Sequence, residues 1–263
     1  MNNKLANIVY LSHGGGPLPI LGDPGHKAMI DFMKALPQKL IQPKAILVIS
    51  AHWEETVPTL IGSVNPSLFY DYYGFPEQAY DIQYPCPGAP EMVKTISEEL
   101  NKLGIESRIE TNRGLDHGVF IPLKLMYPQA NIPTIQISLL KGLDPKKHIE
   151  LGKALQLLKA KDVLIIGSGF SYHNMEGFFD EDRSVDSKND AFQNWLITTC
   201  TKENQNEREQ LLIDWEKAPN ARYAHPREEH LLPLHVCMGI AGSPAEVIFD
   251  DQIIGKRSLG FCW

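Results

Sequence analysis

The sequence predicts an α/β fold, an α-β-α sandwich around a central, mostly parallel or mixed sheet. Three observations lead there. Short runs rich in Ile, Val and Leu recur along the chain with few polar interruptions, as strands buried on both faces require. Stretches with apolar residues at helical spacing fall between those runs. No Pro/Gly/Ser-rich linker, internal repeat or low-complexity tract divides the 263 residues, so residues 1–263 read as one domain.

The clearest strand runs are Ile8–Leu11, Ala45–Ile49, Thr134–Leu139 and Val163–Ile166. Pro90 to Leu103 carries Val93, Ile96, Leu100 and Leu103 at helical spacing and stops at Gly104, a natural C-terminal position. Asp144-Pro145 reads as an N-cap plus first-turn proline for a helix bearing Ile149, Leu151, Leu155 and Leu158. Asp186 to Thr201 and Glu207 to Lys217 read as two further helices. Pro233 fits only a first helical turn, which predicts a last helix from near His230 to Ala241.

Composition narrows the function classes. With 25 Lys+Arg against 32 Asp+Glu, the net charge of −7 suits neither nucleic acid nor an anionic membrane surface. No apolar run approaches the roughly 20 residues of a membrane helix. Met1 to Leu11 shows no signal-peptide cleavage pattern. The four cysteines, Cys86, Cys200, Cys237 and Cys262, form no CxxC pair, so a reduced cytoplasmic compartment is expected rather than a disulfide framework. The oligomeric state leaves no trace in the sequence.

Nine histidines remain to be placed. Three follow strand runs: His13 after Ile8-Val-Tyr-Leu-Ser, His52 after Ile46-Leu-Val-Ile-Ser-Ala, and His173 after Val163-Leu-Ile-Ile-Gly-Ser-Gly-Phe-Ser-Tyr. Ligands bind outside the carboxyl ends of strands in open α/β sheets, and neutral imidazole is the commonest protein metal ligand. Gly14-Gly15-Gly16 after His13 matches neither phosphate-loop pattern, and Gly167-Ser168-Gly169 is not a nucleophile elbow. His225, His230 and His235 are spaced by five, so on one helix successive rings would rotate by roughly 140° and could not share a metal. His230 at the helix entrance is the one free to face the crevice, with His225 and His235 in supporting positions and Glu228 and Glu229 as competing ligands. His117, in Asp116-His117-Gly118, sits in a loop-like stretch, either on the surface or on the substrate side. His26 and His148 read as solvated helix residues.

Taken together, Ser12-His13-Gly14, Ser50-Ala51-His52-Trp53-Glu54, Leu115-Asp116-His117-Gly118, Gly167-Ser168-Gly169 with His173-Asn174, and His225-Pro226 with His230 and Pro233-Leu234-His235 resemble the class III extradiol ring-cleavage dioxygenases. The nearest subgroup is the 4,5-DOPA extradiol dioxygenase type, and the motifs span residues 12 to about 242. The resemblance implies a single catalytic domain around a mononuclear metal, with Fe(II) for activity and Zn(II) able to occupy the same pocket. It implies that His13, His52 and His230 are the ligands, that His173 is the catalytic acid/base and a possible fourth ligand, and that His117 is a catalytic helper on the substrate side. One departure stands out: Gly-Gly-Gly-Pro-Leu-Pro follows His13 where the family more usually has Gly-Ser-Pro.

The chemistry fits these residue types. Protein ligands on one face of a non-haem iron leave the other positions open, and a metal lowers the pKa of a chelated hydroxyl. An imidazole near neutrality can take a substrate proton and return it. The implied partners are O2 and a small catechol with a para side chain, DOPA-like or a small aromatic acid. Trp53, Tyr172 and Phe170 are candidate walls beside its ring. A zinc-dependent hydrolase using the same cluster, and a non-catalytic metal-binding relative, are the alternatives.

Overall fold

The computed structural model describes residues 6–179 and 186–263. Residues 1–5, on which part of the reading of Met1–Leu11 rests, lie outside them. Eight strands form one sheet: β1 Ile8–Ser12, β2 Ala45–Glu55, β3 Thr59–Ile61, β4 Arg108–Glu110, β5 Thr134–Leu140, β6 Val163–Gly169, β7 Glu246–Ile253 and β8 Lys256–Cys262, in the order β4-β3-β5-β2-β6-β1-β8-β7. The four central strands β5, β2, β6 and β1 are parallel. At the flanks, β3 is antiparallel to β5 and β8 to β1, so the sheet is mixed.

Alternation along the strands explains why helices cover both faces. Val9, Leu11, Ile46, Val48, Leu164 and Ile166 point into one core, against the helices Lys27–Ala35, His117–Met126 and Ser187–Cys200. Ile8, Leu47, Ile49, Ile135, Ile137 and Ile165 point into the other, against Pro90–Lys102, Pro145–Ala154 and Leu232–Ala241. The Asp144 carboxylate accepts from the Lys146 and Lys147 N–H groups, as the Asp-Pro signature requires. Among the described residues no helix is long and apolar enough to cross a membrane.

Several elements differ from expectation. Strand β2 continues past Ile49 to Glu55, and its register against β5 jumps from Ile49–Ile137 to Glu54–Leu139. The extra residues form a bulge that takes Ser50 and His52 out of the ladder with β5 at the sheet's carboxyl end, while Ser50 still pairs with Ser168 of β6. The stretch from Glu207 to Lys217 resolves into a helix Gln205–Ile213 and a separate 3-10 turn, and Asp116-His117-Gly118 opens a helix rather than a loop.

His26 and His148 are not solvated; both are fully buried. His26 donates from Nδ1 to Asp23 (2.7 Å) and accepts the Gly15 N–H at Nε2 (2.9 Å). His148 donates from Nδ1 to the Asp144 carbonyl (2.7 Å) and accepts the Leu140 N–H (3.0 Å). A neutral imidazole has one donor and one acceptor, so a site that satisfies both can bury it.

Candidate active site

The carboxyl ends of β1, β6 and β2 lie side by side, because β6 is inserted between the other two. His13 follows β1, His52 sits on the bulge of β2, and His173 follows β6. The segment before the helix Leu232–Ala241 adds His230, and the start of the helix His117–Met126 adds His117. The His52 ring centroid is 4.9 Å from His13, 3.9 Å from His117 and 4.9 Å from His230. His173 stacks on His230 at 3.4 Å. Sheet order brings these positions, far apart along the chain, together.

Close backbone approach makes the cluster possible. A Cβ on Gly169 would overlap the His230 carbonyl oxygen, so only glycine lets that segment reach the end of β6. Pro122 has no N–H to give the Gly118 carbonyl one helical turn earlier. The Ser168 hydroxyl donates to that carbonyl instead. With its single proton committed there, the Ser168 oxygen accepts from His13 Nδ1 at 3.0 Å, which leaves the His13 Nε2 lone pair turned to the cluster.

Carboxylates orient the other rings. Asp71 Oδ1 accepts from both the backbone N–H (3.0 Å) and Nδ1 (2.8 Å) of His117, while Oδ2 lies 3.6 Å from His52 Nδ1. Glu229 Oε1 is 2.9 Å from His230 Nδ1 and 3.4 Å from His173 Nδ1. Asp116, fully buried, accepts from Ser50 Oγ (2.7 Å) and from Gln136, which locks the bulge of β2 to the helix bearing His117.

The electrostatics favour the neutral form of three of the rings. Burial, reinforced by the neighbouring imidazoles, pushes His13, His52 and His230 well below the usual histidine range. Burial alone would raise the Asp71 carboxyl, but the hydrogen bonds it accepts from His117 outweigh it and hold the group below the ordinary range. The donor set fits a metal ion: His13, His52 and His117 bring ring nitrogens within 4.8 Å of one another, and His173, Glu229 and His230 form a second such group. The Nε2 atoms of His13 and His52 are 3.0 Å apart. Adjacent nitrogens on an ion with bonds of about 2.1 Å would be roughly 3.0–3.4 Å apart.

The cluster opens into a cavity of about 610 Å3. Phe170 lines it as expected, but Trp53 and Tyr172 do not. Trp53 is tied to Glu55 through Nε1 (3.1 Å) and covered by Arg113, and the buried Tyr172 ring packs edge-on against Phe178. Tyr72, Phe75 and Phe178 take the wall positions instead. His225 donates from Nε2 to the Ser171 carbonyl (2.9 Å), bracing the turn that carries His173. His235 bonds the Leu212 carbonyl (2.8 Å) and so ties the last helix to its neighbour, one step further from the cluster. Asp71 had no signal in sequence, since it lies in an aromatic-rich loop that only tertiary packing brings to the cluster.

Strand-end imidazoles backed by carboxylates, beside a mostly apolar cleft, define an α/β enzyme built to hold a metal and a small molecule. The family described as the catalytic LigB subunit of aromatic ring-opening dioxygenase matches residues 8–257, and the chain belongs to it. It is an extradiol aromatic ring-opening dioxygenase. The 4,5-DOPA dioxygenase extradiol of Beta vulgaris is 40% identical, over 98% of this chain and 96% of that one. Dioxygenase tasH of Hapsidospora irregularis is 36% identical, over 98% and 86% respectively. The solved structure of protein JW3007 from Escherichia coli K12 shares the fold, with a TM-score of 0.78 at 24% identity over 97% of this chain and 98% of that one.

Proposed function

We propose that the substrate is a catechol with a side chain para to one hydroxyl, cleaved with O2, and that the resident metal is Fe(II), with Zn(II) able to occupy the same site. The relatives named for DOPA make that catechol the first to test. The observation that carries the reading is the facing pair of His13 and His52 Nε2 atoms, 3.0 Å apart, on rings whose pKa values lie well below the usual histidine range. His13, His52 and His230 hold the ion; Glu229 behind His230 and Ser168 behind His13 turn their Nε2 atoms inward. When bound, the iron supplies charge for a doubly deprotonated catecholate and the one-electron chemistry that O2 requires.

The chain's own residues manage protons and placement. His173, with Nδ1 beside Glu229, presents its other nitrogen as base for a catechol hydroxyl and later returns that proton. His117, held by Asp71 through Nδ1, offers Nε2 on the substrate side. The residues act within one catalytic domain. A cytoplasmic location accords with four cysteines that are all free and buried.

Anaerobic loading with Fe(II), then air and catechol, should consume O2 and give a coloured semialdehyde. His230→Ala should lose the metal, whereas His117→Ala and His173→Ala should keep it and lose turnover. A His117→Ala protein that cannot hold metal would exchange the roles of His117 and His230. Turnover with zinc and no need for O2 would overturn the dioxygenase reading.

A further inference from the structure

The cavity beyond the histidines is walled by two edge-to-face aromatic pairs, Tyr72 with Phe75 and Phe170 with Phe178, each with ring centroids 5.5 Å apart. Its outer lining is apolar as well as exposed: Tyr73 is 92% exposed, Phe179 75% and Met175 53%. Exposed apolar side chains around a cleft mark a surface that gains by being covered. Among the described residues, no Lys or Arg lines this cavity, and apart from the histidines the one ionisable group on its walls with a formal charge at neutral pH is the Asp71 carboxylate. The nearby guanidinium groups are committed elsewhere. Arg113 lies over Trp53 and Phe69 and bonds Asp116, while Arg227 pairs with Glu54 and Glu229.

We infer that the site selects catechols whose side chain is uncharged and apolar, an alkyl or aryl group, over catechols whose side chain carries a carboxylate. A carboxylate placed in this cleft would shed water without meeting a Lys or Arg among the described lining residues, would face the electron-rich faces of aromatic rings, and would share the cavity with Asp71. An alkyl or aryl tail would instead cover Tyr73, Met175 and Phe179 and gain the ordinary transfer energy of buried apolar surface. The inference rests on the catechol reading above and adds the chemistry of the substituent.

Three catechols of similar reach test it: 4-propylcatechol, 3-(3,4-dihydroxyphenyl)propanoic acid and the methyl ester of that acid. Each is titrated calorimetrically into the zinc-loaded protein, where no turnover occurs, and assayed for O2 uptake with the iron-loaded enzyme. The propyl and ester compounds should bind more tightly than the acid and exceed it in kcat/KM by about tenfold or more, equivalent to at least ~1.4 kcal/mol. Tyr73→Arg and Met175→Arg, both at exposed positions, should narrow that gap by favouring the acid. Equal or better binding and turnover of the acid by the unaltered enzyme would overturn the inference while leaving the catechol reading intact. An unchanged gap in both arginine variants would also count against it. Failure of all three compounds to bind and to react would remove the catechol reading, and the inference with it.

Discussion

His148 offers a measurable test of how burial controls a histidine far from the active site. Its ring is fully buried and bonded at both nitrogens, and burial pushes its pKa down to about 4 from the ordinary histidine value of 6.5. The folded protein therefore holds fewer protons at this position than the unfolded chain between pH 6.5 and 4. Stability from the neutral ring is complete above the unfolded pKa, falls as pH drops through this interval, and levels off below the folded pKa. Moving from pH 7.5 to 5 should cost about 2 kcal/mol through His148 alone. His148→Gln keeps one donor and one acceptor but cannot titrate. Urea unfolding of both proteins at the two pH values isolates the effect, since groups distant from His148, including the deeply buried His225, contribute equally to each. The unaltered protein should lose about 2 kcal/mol more than the variant on acidification. Parallel losses in the two proteins would mean that burial does not hold His148 neutral.

Two further outcomes concern the cluster. Asp71→Asn weakens the partner of His117 Nδ1 without changing its size, and kcat/KM should fall roughly 10- to 100-fold while the thermal midpoint scarcely moves; an unaltered kcat/KM would show that His117 needs no carboxylate. Gly169→Ala forces a methyl group against the His230 carbonyl, so metal affinity and activity should fall together, with stability reduced by about 1–3 kcal/mol. A Gly169→Ala protein that binds metal normally would show that His230 can shift at no cost.

Much of the fold was legible because the central strands are nearly pure Ile, Val and Leu, and because Asp144-Pro145 and Pro233 are strong local helix signals. Histidines after three such strands could be read as converging, since the sheet itself fixes where strand ends lie. What escaped depended on partners distant in sequence. Asp71 acts on His117 across 46 positions, and no local pattern distinguishes it from any other loop carboxylate. Trp53 and Tyr172 looked like walls because they adjoin His52 and His173, yet successive residues in extended chain point to opposite sides. His148 looked exposed because two lysines beside it suggested a surface, whereas both its partners, and one of the two that hold His26, are backbone groups that sequence cannot place. The β7–β8 hairpin lacks an Asn-Gly signature: Ile254 and Gly255 take the left-handed turn, with φ of 52° and 74°, so a β-branched residue occupies a position where glycine or asparagine is usual.

The position of β1 has a further consequence for how the chain reaches its native state. This first strand lies between β6 and β8, so its pairing partners begin only at Val163 and Lys256. A chain emerging from the ribosome exposes an apolar strand, both edges unpaired, until most of the sequence has been made. High contact order of this kind slows folding and leaves aggregation-prone edges open for longer. His13 follows that strand, so the histidine cluster cannot close before the sheet does. The histidines of β1, β2 and β6 therefore come together only after the late strands have been made.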